Sequence, residues 1–514
     1  MKNIILTGHD LTLEQIGRVA HHSGDVTVSI DEATRERISR SRLFVENAVD
    51  SGKVVYGITT GFGYFKNVTI SKDQTRDLQR NLIMSHAVGV GEPLSRAQVR
   101  AMMLVRINSL VKGYSGVRQI VIDTLIDFLN KDVYPYVPRK GSLGASGDLS
   151  PLAHMTLVMM GMGEAFVDGK RAPAVDALAS AGIVPVTLSS KEGLALTNGT
   201  AMMAGVGTLN LLRAEELSKI ADIAASISVE GLMGSVTPYD QAIHDARPHQ
   251  GQKDSSLNVR RLCAQSDIIE SHEGCDRIQD AYSLRCTPQV HGAVRDTLAH
   301  VRRTLEIEVN SATDNPLIFP DEGVSRSAGN FHGEPIAFIM DFLAIAVSEL
   351  ANIAERRIAK FVDQSTSEGL PPFLIPKEEA GVSSGFMILQ YTAAALTSEN
   401  KTFAHPSSVD SIPTSANQED HVSMGANATN KACLVLDNVQ SVLAIELLTA
   451  TQSLDFKKPL TPGVGSKAAY DHIRQHIPFL EKDRVLYHDI ERVNAMIEDH
   501  SLLASVERAV DSLL

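Results

Sequence analysis

The chain has 514 residues, 43% hydrophobic and 21% charged, with a formal net charge of −13. This is the make-up of a soluble globular protein with a large core and two or three substructures, and the negative balance argues against a nucleic-acid backbone or an anionic membrane as main partner. Cys263, Cys275, Cys286 and Cys433 are widely spaced and form no CxxC pair, so neither a zinc knuckle nor a disulfide framework is suggested, and free thiols in a reducing cytoplasm are expected.

The N-terminal "MKNIILTGHDLTLEQ" has only a short apolar run before polar residues, too short for a signal peptide. No stretch approaches the roughly 18 apolar residues of a membrane span, and a cytoplasmic location is expected. Helical periodicity then dominates. "LEQIGRVAHH", "TRERISRSRLFVENAVDSG", with Gly52 as a C-terminal cap, and "AQVRAMMLVRINSLVKG" repeat apolar residues every three or four positions. Ser150-Pro151 reads as an N-cap with proline at the first helical position, opening an apolar helix through "PLAHMTLVMMGMGEAF". "GEAFVDGKRAPAV" reads as a hairpin around Asp168-Gly169. From about Asn198 the chain reads as long helices, including "GTAMMAGVGTLNLLRAEELSKIADIAASISVEGLMG" and "GEPIAFIMDFLAIAVSELANIAERRIAKFV". The second is apolar on too broad a face for a surface helix, which suits a bundle interior or a subunit contact. The fold class is mainly α: a mixed N-terminal domain over residues 1–200, then an elongated antiparallel helical bundle over 201–514.

Within "KGSLGASGDLSPLAHM", the tripeptide Ala145-Ser146-Gly147 stands just before a helix start, where partial positive charge gathers. It reads either as a tight turn or as a reactive element. Glycine has no side chain, so the Gly147 nitrogen can approach the Ala145 carbonyl carbon. Ring closure and loss of water give an imidazolone; loss of a second water from Ser146 leaves an exocyclic methylene. No ordinary side chain is electrophilic, so a chain that needs an electron sink binds one or makes one.

The string "GSLGASGDLSPLAH" resembles the signature of the aromatic amino acid ammonia-lyases, whose cofactor is 4-methylideneimidazol-5-one (MIO) formed from Ala-Ser-Gly. The resemblance covers nearly the whole chain. "VYGITTGFG" looks like the family's tyrosine loop and "EGLALTNGT" its asparagine motif; "QDAYSLRCTPQV", "TDNPLIF", "GNFHGEP" and "SSVDSIPTSANQEDHVSMG" resemble further family blocks. The resemblance implies the ammonia-lyase/fumarase-like architecture and MIO made from Ala145, Ser146 and Gly147, with no external cofactor and no metal. It also implies a homotetramer whose active sites combine residues of three subunits.

Eliminating ammonia needs help for a poor leaving group and a base for a weakly acidic β-proton. The resemblance makes Tyr56 the base and Arg285 the clamp on the substrate carboxylate, which a guanidinium can bind with two parallel hydrogen bonds. On residue type alone, Tyr56 also reads as a packed loop tyrosine and Arg285 as a bundle ion pair. Asn198 and Tyr282 match family residues that bond the MIO, the substrate or both; Gln279 supports them, and Phe331 resembles the aromatic wall beside the MIO.

Substrate choice rests on two places. Ser85-His86 matches the pair of the histidine-acting members, where tyrosine lyases usually carry His-Leu and phenylalanine lyases a more apolar pair. Glu419 matches a glutamate typical of the same members, where the others tend to have glutamine; a carboxylate accepts a hydrogen bond from an imidazole N–H, which a phenyl ring lacks. Four positions depart from that pattern: Thr287, Thr197, His291 and Gly425. Threonine before Pro-Gln also occurs in tyrosine-acting relatives. The expected activity is non-oxidative deamination of L-histidine to trans-urocanate and ammonia. The alternatives are a tyrosine or phenylalanine lyase, a 2,3-aminomutase using the same cofactor, or an inactive scaffold, which would be free to lose Ser146, Tyr56 and Arg285.

Overall fold

A computed structural model of the chain describes residues 2–21, 24–61, 70 and 74–514. The fold is mainly helical, with 59% of the chain in helix. The described strands form four small sheets. One of them, three-stranded, contains the expected hairpin, Glu164–Val167 against Lys170–Pro173, with Val167 paired to Lys170 and Tyr134–Pro135 along its other edge.

Local chemistry sets the early helices. Asp31 accepts the Thr34 N–H and starts Glu32–Asp50; Ser95 and Gln98 form a reciprocal capping box that starts Arg96–Leu110. The helix after the tripeptide differs from expectation at both ends. It spans Leu149–Met159, with Asp148 rather than Ser150 in the cap position. Pro151 therefore falls third in the first turn, where an N–H has no intrahelical partner to lose. The apolar pattern continues past Met159, but Gly161 and Gly163 turn the chain into the strand Glu164–Val167.

Two compact units arise. One comprises Met1–Leu212, Val301–Asp341 and Pro406–Asn430; the other comprises Arg213–His300, Phe342–His405 and Lys431–Leu514. They do not follow the single division at residue 200 read from the sequence. Four of the five limits fall inside long helices, Ala201–Gly231, Thr287–Glu308, Glu334–Val362 and Gly425–Asp455; the fifth falls between His405 and Pro406, just after the helix Met387–Phe403. A helix of 31 residues is about 46 Å long at about 1.5 Å per residue, so its two ends can serve different cores.

Glu334–Val362 and Gly425–Asp455 are, contrary to the sequence reading, long and apolar enough to cross a membrane by length and composition. An occasional charge interrupts the apolar run without lowering its mean hydropathy. Their most apolar windows are 72% and 78% buried within the protein itself, which marks them as core helices.

Candidate active site

The first unit holds the tripeptide. Gly147 has φ +78, and a Cβ there would lie 2.1 Å from the carbonyl oxygen of Gly199. Only glycine fits both that backbone and that clearance. Asp148 N donates to Gly199 O at 2.7 Å and Gly199 N to Ser146 O at 3.1 Å, so the two turns hold each other. The Gly147 N–H donates to no partner among the described residues. Asp148 is fully buried, and its Oδ2 accepts the N–H groups of Met202 (2.8 Å) and Met203 (3.0 Å), capping the first turn of Ala201–Gly231 from a distant part of the chain. Burial pushes the Asp148 carboxyl up to about 7, against the pull of those two N–H groups.

Ser146 meets Glu419 directly. The serine hydroxyl donates to Glu419 Oε1 at 2.9 Å, and the Thr414 hydroxyl donates to Oε2 at 3.0 Å. His86 ends the helix Thr75–His86. Burial lowers its pKa from the ordinary histidine value; the Leu82 carbonyl and the charge of Glu419 pull the other way. The imidazole is therefore mostly neutral at pH 7, with one nitrogen donating and the other accepting; Ser85 Oγ lies 3.0 Å from its Nδ1. The two residues read from the sequence as setting substrate choice thus share one electrostatic neighbourhood, and one of them touches the tripeptide.

Asn198 is buried and donates from Nδ2 to Asn315 O at 3.0 Å. Its own carbonyl accepts Arg106 Nη1 at 2.6 Å. Arg106 is fully buried, and desolvation lowers its pKa to about 10 despite the opposing charges of Asp314 and Asp148. Lys191 and Asp314 form a fully buried pair at 2.7 Å. These charged supports were missed in the sequence; an arginine inside "AMMLVRINSL" was the available signal, because a charge in an apolar helix is retained only when paired. Tyr56 is half-buried in a turn where Ile58 N and Thr59 N both donate to Val55 O, at 3.1 and 3.0 Å. Phe62 and Gly63, the end of its motif, lie outside the described residues. Phe331 is half-buried in the same unit, in the turn closed by His332 N donating to Gly329 O. Nearby, His332, Glu334 and His421 bring potential metal-ligand atoms within 4.8 Å of one another. His332 Nδ1, however, already accepts the Glu334 N–H at 3.3 Å, so that ring serves a helix start.

The second unit holds the other three residues. Gln279, Asp280, Arg285 and Cys286 help line a cavity of about 740 Å³. Arg285 Nε donates to Asp280 O at 3.0 Å, and its guanidinium lies 4.5 Å from the centre of the Tyr282 ring. Tyr282 is 71% exposed and the neighbouring Ile278 95%, an apolar surface that ends a folded chain poorly.

The departures from the histidine-type pattern are packing positions. Thr197, Thr287 and His291 are fully buried and line none of this cavity. Thr197 Oγ1 donates to Gly193 O at 3.0 Å; His291 Nδ1 lies 2.8 Å from Asp222 Oδ1, a carboxylate also paired with Arg295. A Cβ on Gly425 would lie 2.5 Å from Met203 Sδ, so alanine there needs a shifted methionine.

The tripeptide with Glu419 beside it in one unit and a cavity lined by Arg285 in the other are the chemistry-bearing features of this mainly helical fold. Residues 11–475 match the aromatic amino acid lyase family, and the chain belongs to it. It is 54% identical over 490 residues to the histidine ammonia-lyase of Caldanaerobacter subterraneus subsp. tengcongensis, covering 95% of each chain. Among solved structures it is similar to histidine ammonia-lyase from Trypanosoma cruzi (TM-score 0.92, 39% identity, 99% of this chain and 96% of that one). It is also similar to tyrosine aminomutase from Streptomyces globisporus (TM-score 0.93, 38% identity, 100% of both).

Proposed function

We propose that this chain is a carbon–nitrogen lyase that deaminates L-histidine to trans-urocanate and ammonia. The observation that carries the reading is Glu419, which lies against residue 146 of the tripeptide and accepts the Thr414 hydroxyl, with His86 in its field; the serine hydroxyl it accepts in the uncyclised chain leaves when the cofactor forms. An imidazole placed against an apolar wall would leave its N–H groups unpaired, at a cost of about 1–3 kcal/mol; Glu419 and His86 offer partners. A phenyl ring would offer those two groups no hydrogen bond.

The tripeptide fits the self-made cofactor: Gly147 has a backbone and clearance that admit no Cβ, and Ser146 presents its hydroxyl to a carboxylate. When formed, MIO supplies the electron sink for loss of the amine. The remaining work falls to side chains. Tyr56 takes the β-proton at its phenolic oxygen, Arg285 orients the substrate through its carboxylate, Asn198 and Tyr282 bond the MIO, the substrate or both, and Phe331 forms the aromatic wall beside it. The chain works in the cytoplasm on a free amino acid.

Tyr56, His86, Ser146, Asn198, Phe331 and Glu419 belong to one unit and Gln279, Tyr282 and Arg285 to the other. We infer a homotetramer in which Arg285 and its neighbours complete the site of another copy, covering the exposed Ile278 and Tyr282. Co-expressing inactive Ser146→Ala with Arg285→Ala chains is expected to restore a measurable part of the activity in mixed tetramers; mixtures no more active than either parent contradict composite sites.

Glu419→Gln tests the substrate assignment. Loss of a charge-assisted hydrogen bond, about 1.5–3 kcal/mol, is expected to lower kcat/KM for L-histidine by about 10- to 100-fold, and any residual turnover of L-tyrosine by much less. Equal losses on both substrates would remove Glu419 from ring recognition.

A further inference from the structure

Arg285 sits in the four-residue helix Tyr282–Arg285. So short a helix has only a few backbone bonds to fix its direction, Leu284 N and Arg285 N to Ala281 O and Cys286 N to Tyr282 O, yet its arginine must meet a carboxylate with two-pronged geometry. Its carbonyl groups are held from below. Tyr239, fully buried, donates its hydroxyl to Leu284 O at 2.6 Å. The Ser283 carbonyl accepts two side chains: Thr287 Oγ1 at 3.3 Å and Arg357 Nη1 at 3.2 Å. Arg357 is itself fixed, because its Nε and Nη2 both donate to Glu446, and the Ser228 hydroxyl donates to the same carboxylate at 2.7 Å. Arg357 and Glu446 are both fully buried.

Burying an arginine–glutamate pair gains little stability over apolar packing. What this pair adds is a third donor direction, spent on a carbonyl two residues before Arg285. Tyr239 likewise uses a buried hydroxyl on the adjacent carbonyl. None of Tyr239, Thr287 and Arg357 lines the cavity, so none can touch the substrate there. We infer that these three are positioning residues: they fix the Tyr282–Arg285 turn and thereby aim the Arg285 guanidinium at the substrate carboxylate. The inference rests on Arg285 as that clamp. It also gives Thr287, an unexplained departure in the sequence, a role independent of which ring is bound.

The test is a double-mutant cycle on the full-length enzyme. The substrate is whichever of L-histidine, L-tyrosine and L-phenylalanine the wild type deaminates fastest, so a failed histidine assignment leaves the test intact. Tyr239→Phe removes one hydroxyl and keeps the packing; Thr287→Val is a second, nearly isosteric variant. Each is expected to raise KM by about 3- to 10-fold with kcat within about twofold. In an Arg285→Lys background, where the two-pronged contact is already lost, the same changes are expected to have less than about a twofold effect on kcat/KM, because coupled residues are not additive. An unchanged KM for both variants, or the same fold-loss in both backgrounds, overturns the inference: the latter is the signature of general loosening. An Arg285→Lys enzyme that matches the wild type removes the clamp, and this inference with it.

Discussion

Ser146→Ala is expected to give a protein that folds and assembles normally but has lost nearly all activity. The argument is chemical. Alanine has no hydroxyl to leave, so the second loss of water that creates the methylene cannot occur. The structure gives no reason for a folding defect. Ser146 uses its backbone carbonyl to hold Gly199, and the substitution keeps that. Before cyclisation the substitution removes one bond, from the hydroxyl to Glu419, whose other oxygen keeps Thr414. Loss of activity should therefore come with an unchanged melting temperature, and a borohydride-sensitive near-UV absorbance is expected of the wild type and not of the variant. A variant with wild-type turnover would refute the self-made electrophile and return the tripeptide to a simple turn.

Tyr56→Phe is expected to lower kcat by about 10²- to 10⁴-fold, the usual contribution of a positioned general base, with KM changed far less. The ring stays, and the turn around it is closed by backbone bonds to Val55 O that do not involve the hydroxyl, so stability should hold. Retention of the substrate β-deuterium isotope effect on a nearly unchanged kcat would assign the base elsewhere.

Most helices and the tight turn at Gly147 were legible because they depend on local chemistry: capping at Asp31 and Ser95, apolar repeats, and glycine where no Cβ fits; His86 and Glu419 were named through the family resemblance alone. Three features were not legible for physical reasons. Asp148 caps a helix more than fifty residues away, and no local pattern announces a cap supplied by distant chain. The units alternate along the chain, and four of their five limits fall inside long helices, where no linker composition marks a boundary. Thr287 looked like a clue to substrate until its hydroxyl was found on Ser283 O, inside the protein.

The account stands most directly on one measurement: incubation of the purified protein with L-histidine, L-tyrosine and L-phenylalanine in separate reactions, with every product identified and kcat/KM determined for each. The expected result is trans-urocanate and ammonia from L-histidine at the highest kcat/KM, strong rejection of L-phenylalanine, and no β-amino acid. A higher kcat/KM for L-tyrosine, or release of a β-amino acid, would contradict it and put a tyrosine lyase or an aminomutase in its place.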